Sequence, residues 1–423
     1  MPRPTFVTPE MLADAPITRA SGVSRREFLR RTSVTAGALA AIPILGLPKR
    51  ATASAPDTRA FGPTLDNFMR GKMRSAYLPS VAAAVVHGQT LRWSKGYGWA
   101  NLEADVRADA DTVYLLASIS KTFIVAAVMQ MWEAGSLDLD ADINTYLPFD
   151  VRNPHFPGQK ITLRMLLTHT SSIKDRYSFW GPLNDPTPTG YTHGDSPVPL
   201  SQAMTGYLQE GGEYYKADGN FYTTGPGKAY HYSNLGADTA AYIVEVMSGT
   251  LFSDFVNDNL LTPLGMTQSG YHLSDITTPN RAMPYHSAKP PTNHFKPYFP
   301  FGVPDYPCAC MRTSSNALSI WLRTFMNGGT FEGTQVLKST SVNEIFRPQV
   351  PGNKWDQGLI WYRVTRGGER LIGHGGSDYG VHTNMYFSMS RDVGVITLTN
   401  RYIGGWTAYY DWLDIENRLF EIA

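Results

Sequence analysis

The sequence predicts an α+β fold in which one antiparallel sheet is built from both chain ends. Helices flank the sheet, and a mostly helical domain is inserted between its two halves. Three observations carry this expectation. β-rich runs joined by short glycine-containing turns gather near the two ends, at 80–97 and at 359–400. Runs with apolar residues at helical spacing fill the middle, from 119 to 260. Helical segments also stand at 64–74 and 408–422, outside the strand runs, where they can cover a sheet face.

The chain opens on a different substance. Ser24-Arg25-Arg26-Glu27-Phe28-Leu29-Arg30 has the pattern of a twin-arginine export signal. A mildly apolar stretch follows from Ser33 to Leu47, then Lys49, Arg50 and small residues at Ala51, Ala53 and Ala55. This is the order of a signal peptide, so residues 1–55 are expected to be an export segment, with periplasmic or exported location. Cleavage after Ala53 is preferred, since Pro56 follows Ala55 directly.

Past that segment, Thr64 to Arg74 has helical spacing, and Ser80-VAAAVVHG and Thr90-LRWSKGYG form two strands around Gly88. Ile119 to Ala134 is helical and stops at Gly135. Segments 163–168, 200–209, 237–247, 251–260 and 317–326 also have helical spacing. Stretches at about 174–199, 211–230 and 279–307 have no period and are rich in Pro, Gly, Tyr and Asp. Loops that long in a compact enzyme are usually covers or specificity walls. Strand pairs return at 359–376 and 381–400, and the closing helix carries Tyr409, Trp412, Leu413, Ile415, Leu419 and Phe420 on one side. The expected organisation is a sheet domain from 56–115 and 305–423, a helical domain from 116–304, and a pocket between them.

Composition narrows the function. The chain has 423 residues, 42% hydrophobic and 12% aromatic, enough for a sizeable core. Its net charge is +1, and without residues 1–53 it holds 29 basic and 33 acidic residues. No polybasic footprint for nucleic acid is present. No apolar run after residue 55 is long enough to span a membrane. Cys308 and Cys310 cannot form a disulfide framework; such a short ring would be strained, and two free thiols are expected. No Cys/His spacing suggests zinc, so neither a metal nor a cofactor is expected.

Three short segments carry the chemistry. In Ala117-Ser118-Ile119-Ser120-Lys121, Ser118 and Lys121 stand three apart, neighbours on one helix face. If Ser118 opens the helix, its own N–H is unpaired and free to stabilise an oxyanion. Lys121 acts as a base only if its pKa falls from about 10.4 towards neutrality, which costs roughly 4 kcal/mol for three units. In His231-Tyr232-Ser233-Asn234, Tyr232 can pass protons and Asn234 can meet a substrate carbonyl. In Gly373-His374-Gly375-Gly376-Ser377, glycines on a strand let substrate lie against backbone, and the Ser377 N–H can be a second oxyanion donor. Each segment alone has an ordinary structural reading: an N-cap serine with a solvated lysine, a buried tyrosine beside an N-cap asparagine, and a tight turn.

Together and in this order they resemble the serine β-lactamase and penicillin-binding-protein superfamily. The similar branch holds class C β-lactamases, D-alanyl-D-alanine carboxypeptidases, D-aminopeptidases and related esterases. Y-L-L-A-S-I-S-K-T-F (114–123), G-S-L-D-L-D-A-D-I-N-T-Y-L-P (135–148), I-T-L-R-M-L-L-T-H-T-S-S (161–172), P-L-G-M-T (263–267) and G-V-I-T-L-T-N (394–400) extend the resemblance from Phe61 to the C-terminus. It implies Ser118 as acylated nucleophile, Lys121 as its activator coupled to Tyr232, and Asn234 on the substrate carbonyl. It places the oxyanion between the N–H groups of Ser118 and Ser377. His169, in L-L-T-H-T-S-S, corresponds to scaffold.

The third segment departs from the antibiotic-related pattern, which is Lys-Thr-Gly or His-Thr-Gly. Here His374-Gly375-Gly376 has a mostly neutral side chain and no hydroxyl, which weakens recognition of a substrate carboxylate. The expectation is an exported serine hydrolase cleaving an ester or amide bond of a small or peptide substrate, cell-wall derived ones included, with efficient β-lactam cleavage disfavoured. Tyr177, Phe179, Trp180, Tyr214, Tyr215, Phe221 and Tyr222 are candidate pocket walls. Alternatives are an acyltransferase of the same fold and a non-catalytic ligand-binding protein. Oligomeric state is left open.

Overall fold

The computed structural model describes residues 13–14, 61–181, 190–286, 295–350, 356–366 and 368–423. The expected export segment lies outside the described residues, apart from Ala13–Asp14, which pair antiparallel with Gly227–Lys228. In chain order the elements that position the site begin with α1 (Pro63–Ser75), β1 (Ser80–His87), β2 (Thr90–Asn101) and β3 (Val106–Arg107). A one-turn 3-10 segment at Ala117–Ser120 leads into α2 (Lys121–Glu133). Then come α3 (Leu163–Leu167), α4 (Leu200–Leu208), α5 (Asn234–Ser248), α6 (Phe252–Val256), α7 (Ser315–Met326) and α8 (Ser339–Phe346). The chain closes with β4 (Tyr362–Arg366), β5 (Glu369–Asp378), β6 (Val381–Ser388), β7 (Val393–Thr399) and α9 (Trp406–Glu421).

The large sheet has seven strands in the order β4-β5-β6-β7-β1-β2-β3, each pair antiparallel. The seam between the chain's two ends is β7 on β1, with Val393 opposite His87 and Thr399 opposite Val81. The expected sheet from both termini is therefore observed.

Strand β1 is buried from Ser80 to Val86, because both its faces are covered. Val81, Ala83 and Val85 point to α1 and α9, where Leu65, Met69, Met73, Trp412, Ile415 and Leu419 close one core. Ala82, Ala84 and Val86 point the other way, into the core shared with α2, α5 and α7. Period-two alternation thus splits one strand between two cores. Each fully buried valine or leucine contributes roughly 1.5–3 kcal/mol.

Helix α2 is buried on almost every side from Lys121 to Met129. Such a helix has little amphipathic pattern, and it is the central rod of the molecule. The helical segments expected at 64–74, 119–134, 200–209, 237–247, 317–326 and 408–422 are all present within a few residues. Helix α8 and strand β3 were not expected; α8 is short, and β3 is a two-residue bridge at the sheet edge.

Candidate active site

The segment before Ser118 is pinned from three sides. Ala117 has φ +48°, a left-handed conformation that a non-glycine residue adopts at a cost. The neighbours that hold it there are identifiable. Ser120 Oγ donates to the Ala117 carbonyl at 2.6 Å and accepts from Met311 N–H at 3.0 Å. Thr383 Oγ1, on β6, donates to the Leu116 carbonyl at 2.7 Å. The turn therefore presents Ser118, partly exposed, at the start of α2.

Lys121 is fully buried, and its Nζ donates to Ser118 Oγ at 3.1 Å and to the Cys308 carbonyl at 3.0 Å. The Tyr232 hydroxyl is hydrogen-bonded to the side chains of both Ser118 and Lys121. These three acceptors use all three N–H donors of an ammonium. The structure thus brings Ser118, Lys121 and Tyr232 together from segments more than a hundred residues apart.

Tyr232 is aimed by what surrounds its loop. Ser233 caps α5, its Oγ accepting from Gly236 N–H at 2.8 Å. Asp175 accepts from Asn234 N–H at 2.8 Å, Leu235 N–H at 3.2 Å and Ser233 Oγ at 2.8 Å. The N-cap is therefore Ser233, and Asn234 is the first helical residue, half-buried. His169 packs on the Tyr232 ring at 4.3 Å between centroids, and its Nδ1 accepts from Ser233 N–H at 3.3 Å. Its expected scaffold place is thereby specified: it backs Tyr232.

Strand β5 forms the opposite wall. Its pairing with β4 ends at Gly373, opposite Tyr362, so its edge from His374 onward carries no further strand. A Cβ on Gly376 would stand 2.2 Å from the Leu116 carbonyl oxygen and 3.0 Å from Ser118 N, so only glycine allows this approach. The Gly375 N–H turns to the β4 side, where Tyr362 Oη accepts it at 3.1 Å. Two residues on, the Ser377 N–H faces the same edge beyond the end of β4. A Cβ on Gly375 would instead meet Asn384 Oδ1 at 2.6 Å. Gly375 therefore faces away from the Ser118 turn, and its N–H is already bonded.

Burial decides the charge states. It pushes the Tyr232 phenol up, more than the Lys121 charge and the Ser118 bond pull it down. Burial alone lowers Lys121, but the Tyr232 oxygen, the Cys308 sulfur and Asp238 outweigh it and hold the ammonium above its ordinary value. This differs from the sequence expectation of a depressed lysine, because the buried acids facing Nζ do not appear in a local motif. His374 is pushed down to about 3 by burial and the Lys121 charge, so its ring is neutral. Its Nδ1 stands 2.6 Å from the Gly375 carbonyl and therefore carries the hydrogen.

Sequence reasoning missed the groups behind Lys121. Asp238 is fully buried on α5, where the Cys308 thiol donates to its carboxylate. Asp305 receives Trp180 Nε1 at 2.9 and 2.8 Å, and burial pushes it up to about 7. Cys308 is a free thiol, as is Cys310, and burial drives its pKa up. One donor atom from each of Asp238, Asp305 and Cys308 lies within 4.8 Å of the others, so this trio has the donors to hold a divalent ion. The one signal in the sequence was an aspartate inside the apolar run L-G-A-D-T-A-A-Y-I-V.

A family model described as Beta-lactamase matches residues 65–418. Protein flp of Staphylococcus aureus strain MRSA252 is 22% identical over 338 residues, covering 79% of this chain and 62% of the relative. The chain thus spans under two thirds of that curated relative's length. Among solved structures, D-amino acid amidase from Ochrobactrum anthropi SV3 complexed with D-phenylalanine superposes with TM-score 0.65. It is 19% identical, with 85% of this chain and 99% of that chain covered. EstCE1, a hydrolase with promiscuous acyltransferase activity, superposes with TM-score 0.67 at 17% identity, with 86% and 99% covered. At these identities the superpositions establish the fold.

Proposed function

Since the chain belongs to the beta-lactamase family, we propose that it is a serine hydrolase working through an acyl-enzyme on Ser118. Its substrate is a small ester or amide. The observation that carries this reading is the Lys121 Nζ at 3.1 Å from Ser118 Oγ, with the Tyr232 hydroxyl bonded to both. Lys121 keeps its ammonium, and the Lys121–Tyr232 pair becomes active on losing one proton. Tyr232 Oη then takes the proton of Ser118 as Oγ attacks the carbonyl, and returns it to the leaving group. The N–H groups of Ser118 and Ser377 stabilise the oxyanion, and Asn234 meets the substrate carbonyl. Water attacks the acyl-enzyme and completes the cycle.

A neutral His374 and a Gly375 without a side chain offer no cation or hydroxyl to a carboxylate. This supports ester or amide cleavage over efficient β-lactam cleavage. The likeness to EstCE1 favours one second reading, transfer of the acyl group to an alcohol or amine, which product analysis with added nucleophile distinguishes. Export through residues 1–55 is part of the proposal and rests on the twin-arginine pattern alone. A reporter fused to that segment, with Arg25 and Arg26 replaced by lysine, tests it.

Intact-mass spectrometry after fluorophosphonate treatment is the direct experiment. One adduct on the wild type that is missing from Ser118→Ala supports the acyl-enzyme. An adduct on neither removes it and leaves a ligand-binding protein.

A further inference from the structure

Three ionisable side chains meet behind Lys121, and the acyl-transfer steps use none of them. Asp238 stands on α5, and Asp305 and Cys308 come from the turn around Tyr306–Cys308. All three are buried, Asp238 completely. One donor atom from each lies within 4.8 Å of the others. Cys308 Sγ is 3.9 Å from Asp305 Oδ2. Tetrahedral zinc, with Zn–S about 2.3 Å and Zn–O about 2.1 Å, sets sulfur and oxygen about 3.6 Å apart. That pair therefore stands within a few tenths of an ångström of the spacing the ion imposes.

Hydrogen bonding inside the cluster is incomplete. The Cys308 thiol donates to the Asp238 carboxylate, but one hydrogen cannot serve two oxygens. No other donor reaches Asp238 among the described residues. Asp305 has the Trp180 indole, which spans its two oxygens at 2.9 and 2.8 Å and leaves each a further lone pair. Beside them the Tyr271 hydroxyl is buried and also has no hydrogen-bond partner among the described residues. Its phenol feels both Asp238 and Cys308.

Charge points the same way. Burial makes ionisation costly here: it holds Asp238 well above the ordinary carboxylate range and Asp305 at about 7. Buried charged groups pair with one another or coordinate metals. Lys121 is one cation at hand, donating to the Cys308 carbonyl at 3.0 Å. Two carboxylates and a thiolate need two more positive charges, which one divalent ion supplies.

We propose that Asp238, Asp305 and the Cys308 thiolate bind one zinc ion in a closed structural site behind Lys121. The Tyr271 hydroxyl is available to the fourth position. Binding forms one Zn–S and two Zn–O bonds, and releases to solvent the Cys308 thiol proton and any proton on the two carboxyls. The sulfur selects zinc over magnesium or calcium, which prefer oxygen ligands. The ion would fix the turn whose Cys308 carbonyl holds Lys121, so it acts on the serine site through position and touches no substrate. No Cys/His spacing announces it, because its donors come from a helix and a distant turn and include no histidine. The ion-free protein holds protons in the same place.

For the test, the full chain is produced in medium with Zn²⁺ or with Co²⁺ as the added metal and passed through a chelating resin, and its metal content is measured. About one ion per chain should be retained, and the cobalt form should show a sulfur-to-cobalt charge-transfer band in the near ultraviolet. Asp238→Asn should lower the retained metal by at least about tenfold, and Cys308→Ser should remove the band. The chain has two cysteines, so a band that persists in Cys310→Ser assigns the ligand to Cys308 even where Cys308→Ser does not fold. Wild-type protein that retains no ion from either medium overturns the site and leaves two carboxyls sharing protons. Metal held equally by Asp238→Asn overturns it too, as does a cobalt form without the band. None of these readouts needs turnover, so the result stands apart from whether Ser118 is acylated.

Discussion

Gly376→Ala is the substitution whose effect follows most directly from the geometry. The added Cβ would lie 2.2 Å from the Leu116 carbonyl oxygen, 2.4 Å from Thr383 Oγ1 and 3.0 Å from Ser118 N. The first two atoms are bonded to each other at 2.7 Å, so neither swings away freely. Relief requires β5 and the Ser118 turn to separate by about 1 Å. Overpacking of this kind costs about 1–3 kcal/mol of stability. A 1 Å misplacement at the reacting atoms costs about a hundredfold in rate, since the Ser118 and Ser377 donors no longer converge on one oxygen. The assay is the fluorophosphonate labelling rate of folded protein, with thermal unfolding run in parallel. Gly71→Ala is the control: it lies in α1 with nothing within 4 Å of the new Cβ. It should label normally and gain up to about 1 kcal/mol from helix propensity. Wild-type labelling by a folded Gly376→Ala would refute the placement of the oxyanion site between β5 and the Ser118 turn.

The other expectations concern charge and reactivity. Because burial raises Tyr232 and Lys121 stays protonated, acylation should rise with pH above neutrality, and Tyr232→Phe should remove that rise and lower the rate about a hundredfold or more. A pH–rate profile of both proteins checks this; an unchanged profile in the variant counts against Tyr232 as proton acceptor. Asp305, pushed up from 3.8 to about 7 by burial, binds its proton more tightly in the folded state, so its contribution declines as pH rises from about 4 to 7. The decline is on the order of 4 kcal/mol, and Asp305→Asn should flatten it in urea unfolding measured across that window. Cys308 and Cys310 are buried, free and protonated at neutral pH. Neither should react with a disulfide reagent until the protein is unfolded, when two thiols should appear; none appearing would mean a bond between them.

Much of the architecture was legible because it is written in local periodicity. Ser80–Val86 is a continuous apolar run, as a strand covered on both faces must be, and α9 shows its buried stripe at Trp412, Ile415 and Leu419. Helix α8 escaped notice because eight residues with Ser339, Thr340 and Ser341 in the first turn show little pattern. The Ser118–Lys121 spacing, Tyr232 and the glycines of β5 were legible as residue types in a fixed order. Asp175, Asp238 and Asp305 were not, since an aspartate in a loop or helix is ordinary until its burial is known.

What the sequence determined by itself is therefore the set of parts: strands at both ends, a buried central helix starting at Ser118, a tyrosine before α5, and a glycine strand without the usual lysine and threonine. Only the tertiary structure decided their charge. Lys121 is an ammonium because Ser118 Oγ, the Cys308 carbonyl and the Tyr232 oxygen accept its N–H groups, against the desolvation that a motif alone would emphasise. His374 is neutral because it shares that dry space with Lys121. Electrostatic free energy depends on distance and solvent exposure, and neither is a property of neighbours along the chain.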